Sequence, residues 1–296
     1  MGYPIFKNLI NMESVTSISG GKTSGYLAAN YPTKHNIFAL VTTNDRSCLY
    51  PDKKLRQIVS DKIGREFIGT LEDDIIIHTI MDLEQFMGRE IVWVAGLNFD
   101  EILKGDQKKG GWLPNKLHRY CTAWLKLEPI FNYWRQNISQ PVIMNIGYRV
   151  SETNRANNMK KKLNENGLLE QKAVIGKHPS GRNKWGMIEW QKPNYPLIKD
   201  LIERQDIEQF WRNKPVRFAE LNNCIGCFHR SPSLLNRMSK EHPSKFDWFI
   251  KQEQDRNIKD TFKSYMRYEK IKESNFTMSI PFDYDPEGCD SGFCGI

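Results

Sequence analysis

Three short stretches carry residue types and spacings able to do chemistry. Ser19-Gly20-Gly21-Lys22-Thr23-Ser24 joins two glycines to hydroxyls and an ammonium. Glycines let a ligand approach the main chain closely, and a helix starting there aims unpaired N–H groups and its positive dipole end at one spot. That is a place for an anion, above all phosphate, with Ser17, Ser19, Thr23, Ser24 and Lys22 as added donors. Gly147-Tyr-Arg149-Val-Ser-Glu152-Thr-Asn-Arg155 sets two guanidinium forks around one carboxylate, suited to phosphate or sulfate, although a solvated helix start reads the same way. Asn223-Cys224-Ile-Gly-Cys227 presents two thiols with a glycine between them, open to zinc, an iron–sulfur cluster or dithiol chemistry.

The elements that must position these residues follow from the surrounding pattern. Val15 and Ile18 lie in a β-prone run, the glycines break it, and Lys22 to Ala29 suits a helix that Pro32 stops. A Walker loop needs glycine where Thr16 stands, and no Gly-x-Gly-x-x-Gly spacing occurs here. Residues 36–44 predict a buried parallel strand whose polar end places Thr43, Asn44 and Asp45 beside the glycine turn, to hold ribose or base. Residues 51–64 read as a crossover helix and Asp74 to Ile80 as a third strand, so the order βαβαβ predicts a doubly wound, mostly parallel α/β sheet.

Leu117 to Asn137 predicts a long helix that Pro129 kinks or splits. It carries Cys121 between two cations, Arg119 and Lys126, which would lower a thiol pKa. A strand over 141–147 leads into Gly147 and Arg149. Residues 157–185 are polar and lysine-rich, the composition of a mobile flap or insertion that closes over a substrate or touches a polyanion. Residues 185–190 read as a short strand or turn, and Tyr195-Pro-Leu-Ile198 introduces a helix from Asp200 to Trp211. Residues 231–296 form a helical, cysteine-bearing extension, and residues 1–13 a poorly specified lead-in.

The chain has 296 residues, 39% of them hydrophobic, enough for a real core. Its formal charge of +8 favours polyanionic partners or anionic substrates, although no recognised nucleic-acid module is present. No run approaches the roughly 20 apolar residues of a membrane span, and the start lacks a secretory pattern, so a cytoplasmic location is expected. Six cysteines are too few for a disulfide framework. Cys121, Cys224, Cys227, Cys289 and Cys294 are candidate ligands, with Cys48 a bystander. Their dispersal tilts the reading toward iron–sulfur, while His229 keeps zinc open.

Taken in order, these segments resemble the phosphoadenosine phosphosulfate reductase family over residues 14–230: the glycine turn, Arg119-Tyr-Cys-Thr to Lys126, Gly147 to Arg155, Tyr195-Pro-Leu197 and Cys224 to Cys227. The turn itself is similar to the pyrophosphate-binding PP-loop of the adenine nucleotide alpha hydrolase superfamily. The resemblance implies an α/β domain over residues 1–230 with a five-stranded parallel sheet, nucleotide phosphates on Ser19 to Ser24, and anionic substrate at Arg149 and Arg155. Arg119, Lys126 and Glu152 join that anion group.

Three departures steer the expected activity. The loop keeps the Ser-Gly-Gly form typical of enzymes that cleave ATP between its α and β phosphates. The tail reads Phe293-Cys294-Gly295-Ile296 without the glutamate and histidine of sulfate-reducing members, and Cys121 is single where cluster-binding members often carry adjacent pairs. The expectation is therefore an enzyme that uses ATP and Mg2+ to adenylate, then thiolate or otherwise modify, a nucleobase or nucleic-acid acceptor. Lys22, Arg149 and Cys294 are its catalytic candidates. A 4Fe-4S cluster at Cys121, Cys224, Cys227 and Cys289, with zinc as the alternative, and a sulfur-donor protein complete the reading. Its rivals are a sulfonucleotide reductase releasing sulfite and a non-catalytic nucleotide- or nucleic-acid-binding module.

Overall fold

The computed structural model describes residues 12–104, 111–256 and 260–276. Six strands make one sheet in the order β3-β2-β1-β4-β6-β5. They are β1 (Ser14–Ile18), β2 (His35–Ala39), β3 (Val92–Val94), β4 (Val142–Asn145), β5 (Leu169–Lys177) and β6 (Asn183–Asn194). Neighbours run parallel except β5 and β6, an antiparallel hairpin at one edge. The sheet therefore has one strand more than the five expected.

Helices α1 (Lys22–Asn30), α2 (Lys53–Ile63), α3 (Ile75–Met87) and α4 (Phe99–Lys104) fill the first half of the chain. A continuous helical path then runs through α5 (Tyr120–Thr122), a π turn (Ala123–Leu127) and α6 (Glu128–Asn137). Pro129 falls in the first turn of α6, where its missing N–H costs nothing, so the path is divided there. After these come α7 (Thr153–Lys160), α8 (Pro196–Lys199), α9 (Arg204–Trp211), α10 (Pro232–Glu241), α11 (Pro243–Gln254) and α12 (Tyr268–Glu273). The helix expected over 200–211 is α9 and starts only at Arg204, because Leu201 takes a left-handed φ of 58° between α8 and α9.

Strand residues alternate between two buried faces, as parallel strands covered on both sides must. Val15, Ile37, Ala39 and Met144 pack with Phe131 and Trp134 of α6. Ile18, Phe38 and Leu40 pack on the other face with Leu27, Ile76, Ile80 and Trp211. A third core joins Val41, Leu71, Phe99 and Leu125 to Phe246, Trp248, Phe249, Tyr268 and Ile271, so residues on both sides of position 230 share it.

Two sequence readings are corrected. Asp74 to Ile80 is not a strand: Ile76, Ile77, Ile80 and Leu83 bury one helical face, and the run continues to Met87 before Gly88 ends it at φ 59°. The parallel strand is β3, only three residues long. Residues 157–185 are not a loose flap but the end of α7 and most of the β5–β6 hairpin, in which 185–190 is a part of β6. Among the described residues, no helix is long and apolar enough to cross a membrane.

Candidate functional site

Gly20 adopts φ 79°, and a Cβ there would lie 2.6 Å from Ile76 Cγ2, so only glycine fits. Gly21 caps α1 in an extended conformation. The Ser24 hydroxyl donates to the Gly21 carbonyl (3.0 Å) and accepts from the Ser19 N–H (3.1 Å), and the two seryl oxygens lie 3.0 Å apart. These serines hold the turn itself, while half-buried Lys22 and buried Thr23 border the neighbouring pocket. Trp211 Nε1 donates to the Lys22 carbonyl at 2.9 Å and pins α9 against the start of α1. Ser17 is buried in β1 beneath the turn.

The strand order explains what lies opposite. β1 has β2 on one side and β4 on the other, so chain connections leave it in both directions, and ligands favour the carboxyl ends of strands at such a switch point. Thr16 pairs with Asn145 in register, which brings the loop after β4, including buried Gly147, beside the glycine turn. Lys22, Thr23, Arg149, Arg204, Glu208 and Asn222 line one polar pocket of about 370 Å³. Arg149 Nε donates to Glu152 Oε2 at 3.1 Å, and Arg155 pairs with the other oxygen of the same carboxylate. Arg155 also lies over the Tyr148 ring, which stacks on Tyr195. Burial raises the Tyr148 pKa, with Arg155 and Arg119 among the charges acting on that phenol.

Lys22 is bound by Glu208 of α9, which Arg204 also approaches at 3.7 Å. The pair separates the polar pocket from a second one of about 400 Å³ lined by Trp211, Arg212, Val216 and Phe218. Glu208 and Arg204 were not singled out from the sequence. Their i,i+4 spacing is that of an ordinary surface pair on a helix, and Lys22 is 186 residues away.

Thr43, Asn44 and Asp45 are used differently from the expectation. Thr43 Oγ1 and Asn44 N both donate to Asp100 Oδ2, at 2.6 and 2.8 Å, and Trp248 Nε1 donates to Oδ1 at 3.0 Å. Asp45 caps a short helical turn by accepting from Ser47 N at 2.9 Å. This end of β2 ties α4 and α11 together.

The cysteines gather elsewhere along the same edge. Cys121, Cys224 and Cys227 line a mainly apolar pocket of about 50 Å³ with Lys126, Phe99 and His229. Cys227 N donates to the Cys224 carbonyl at 3.0 Å, and the fully buried Arg230 donates through Nη2 to the carbonyls of Asn222, Asn223 and Cys224, holding the loop from below. A Cβ on Gly226 would strike the Phe249 ring at 2.4 Å, so this glycine serves packing as well as the turn. Lys126 Nζ donates to Glu72 Oε1 at 2.9 Å; Glu72 is buried and Lys126 half-buried, and Lys126 belongs with the thiols rather than with the arginines.

The thiol pKa values run opposite to the sequence expectation. Burial pushes Cys121 up to about 12 and Cys224 well above its ordinary value, the latter helped by Glu72, and the nearby Lys126 charge does not offset this. Burial works against the Lys126 ammonium, but Glu72 and the thiols outweigh it and hold its pKa high. Cys48 is buried, and desolvation lifts it to about 11, as suits a bystander. Among the described residues no group of three or more His, Cys, Asp or Glu side chains is set to hold a metal ion. In donor type the three thiols fit a cluster or zinc, since a bound cation supplies the charge that thiolates need. Cys289 and Cys294 lie outside the described residues.

A comparison with protein-family models finds no match, and neither does a comparison with curated proteins.

Proposed function

We propose that the chain is a phosphoadenosine phosphosulfate reductase-like PP-loop enzyme, of the adenine nucleotide alpha hydrolase type, acting at the α-phosphate of ATP. The observation that carries this reading is the meeting of Lys22 and Thr23, at the start of α1, with Arg149, from the loop after β4, in one polar pocket at the switch point of a parallel sheet. A polyphosphate there finds helix N–H groups, one ammonium and guanidinium forks, the donors that phosphoryl chemistry uses.

In the proposed reaction an oxygen of a nucleobase or nucleic-acid acceptor attacks the α-phosphorus. A new O–P bond forms, the bond to the β-phosphate oxygen breaks, and pyrophosphate departs carrying the negative charge. Loop amides and Lys22 stabilise that charge as it develops. Glu208, Glu220, Asn222 and Thr23 offer the oxygen donors that Mg2+ prefers, and the ion's contribution is to neutralise phosphate charge. A sulfur nucleophile then displaces AMP from the activated acceptor: a C–S bond forms as the C–O bond to AMP breaks, sulfide from a sulfur-donor protein or the cluster giving the thiolated product, and the Cys294 thiolate giving a covalent thioether to the chain. Cys121, Cys224 and Cys227 would hold a 4Fe-4S cluster with Cys289, and iron and zinc analysis with the visible spectrum of oxygen-free protein tests that assignment. A colourless sample with stoichiometric zinc overturns the cluster.

Protein purified without oxygen is incubated with ATP or with phosphoadenosine phosphosulfate, and pyrophosphate, AMP and sulfite are assayed. Pyrophosphate and AMP from ATP are expected. Sulfite without any need for ATP would instead make the chain a reductase, and tight ATP binding with no product would make it a binding module.

A further inference from the structure

The β5–β6 hairpin carries large apolar side chains that stay exposed among the described residues. β6 pairs with β4 only over residues 191–194, so residues 183–190 and their partners on β5 project beyond the start of β4. On this arm Trp185 and Met187 are each 56% exposed and Ile175 is 47% exposed. Val174 pairs with Trp185 and Lys172 with Met187, placing all four on one face, and the Lys172 ammonium lies 5.9 Å from the Trp185 ring centroid. Large apolar side chains held in water on a rigid ladder mark a contact surface.

Charge says what kind of contact. Residues 160–194 contain eight Lys and Arg against three Glu, a net +5 out of the chain's +8. All eight cations are exposed. Lys62, Lys126 and Lys245 are paired with carboxylates, whereas none of the eight has a carboxylate partner among the described residues. Two copies of such an arm would repel each other. The turn at residues 178–182 is polar and closed by His178 N donating to the Arg182 carbonyl at 2.8 Å, so the arm lacks the apolar tip that would enter a bilayer.

We propose that this hairpin is a docking surface for single-stranded nucleic acid, with bases stacking on Trp185 and phosphates met by Lys172, Lys177, Arg182 and Lys184. Unpaired cations beside an exposed indole are the combination that holds single strands. The inference deepens the proposed function by naming its acceptor as a polymer, and it rests on that reading only for the chemistry that follows docking. At about 3.3 Å per strand residue, Trp185 stands about 30 Å from Asn194, which bonds Asn145 at the site edge. A chain of nucleotides spans that distance; a free nucleoside does not.

The test uses full-length protein and fluorescein-labelled 20-mers of mixed sequence, one RNA and one DNA, read by fluorescence anisotropy at several salt concentrations. ATP binding is measured on the same samples. Trp185→Ala is expected to weaken binding by about tenfold. The Lys177→Glu/Lys184→Glu double variant is expected to weaken it and to flatten the slope of log affinity against log salt by about 0.7 for each phosphate it ceases to neutralise. Both variants are expected to keep the wild-type affinity for ATP, since neither change touches the pocket at Lys22. Unchanged oligonucleotide affinity in both variants overturns the proposal. So does absence of binding by the wild type, or a Trp185→Ala effect confined to anionic vesicles or to the oligomeric state. Loss of ATP binding in the wild type with the Trp185 effect intact would instead remove the proposed chemistry and leave the docking surface standing.

Discussion

Glu208 and the proposed polyphosphate would compete for the same ammonium. Lys22 ends in a pair with that carboxylate, and both residues line the pocket where phosphates are proposed to sit. Glu208→Gln keeps the side-chain volume and removes one negative charge. We expect it to tighten binding of inorganic pyrophosphate about fivefold, by calorimetry at low salt, with the difference shrinking as salt screens the charges. An unchanged or weaker affinity would show that the carboxylate has no part in holding Lys22 back, or that it serves the ligand directly. Lys126 and Glu72 form a comparable pair among the thiols but in a buried setting, where removing one partner strands the other charge. Neither pair is visible in the sequence, because its partners lie 54 and 186 residues apart.

At the scale of elements, the wall of the polar pocket is anchored through α3. Arg217 donates to Asp82 from its main-chain N (3.0 Å), from Nε (2.7 Å) and from Nη2 (2.7 Å), fixing the segment that carries Phe218, Glu220 and Asn222. The Arg217 side-chain bonds, with its main-chain N–H, hold the Asp82 carboxyl below its ordinary pKa. A lowered carboxyl pKa contributes stability above the unfolded value of about 3.9, and that contribution is lost as pH falls through the folded one. Asp82→Asn should therefore cost about 1 kcal/mol at pH 7, with variant and wild type converging in urea melts as pH falls through the lowered carboxyl pKa. A gap that persists in acid would point to packing instead of charge.

The same scale shows what sequence patterns reveal and hide. β1, the glycine turn and α1 were legible because two glycines in a row break a β-prone run, and Gly20 takes a left-handed φ that few other residues adopt. The isoleucine run of α3 looked like a strand because three β-branched residues in a row mask helical spacing that emerges only when Ile80 and Leu83 are included. The β5–β6 hairpin was hidden by its composition, since its far end is exposed on both faces and lysines, glycines and a polar turn break the alternation that marks a strand. The arginine group after β4 and the pair at Cys224 and Cys227 were found by residue type. Which cation joined which group was set by the sheet order, and Lys126 fell to the thiols.

Across the whole molecule, the third core decides whether the loop edge holds together. Trp248 is buried between Phe99 and Phe249, and its indole N–H reaches Asp100, the residue that also fixes Thr43 and Asn44. Trp248→Ala should cost about 3–5 kcal/mol and lower the melting temperature by about 10 °C. A loss under about 1 kcal/mol would mean that α11 rests on the sheet without stabilising it.

That core also sets an order of events during synthesis. Leu71, Phe99 and Cys121 leave the ribosome long before Phe246, Tyr268 and Ile271, yet they are packed in one cluster. A growing chain therefore shows these apolar side chains and the Cys121 thiol to the cell until its last helices arrive, a period in which a chaperone has something to grip and an oxidant has something to attack. Any metal delivered to the thiol pocket has its finished seat only once translation has passed α12.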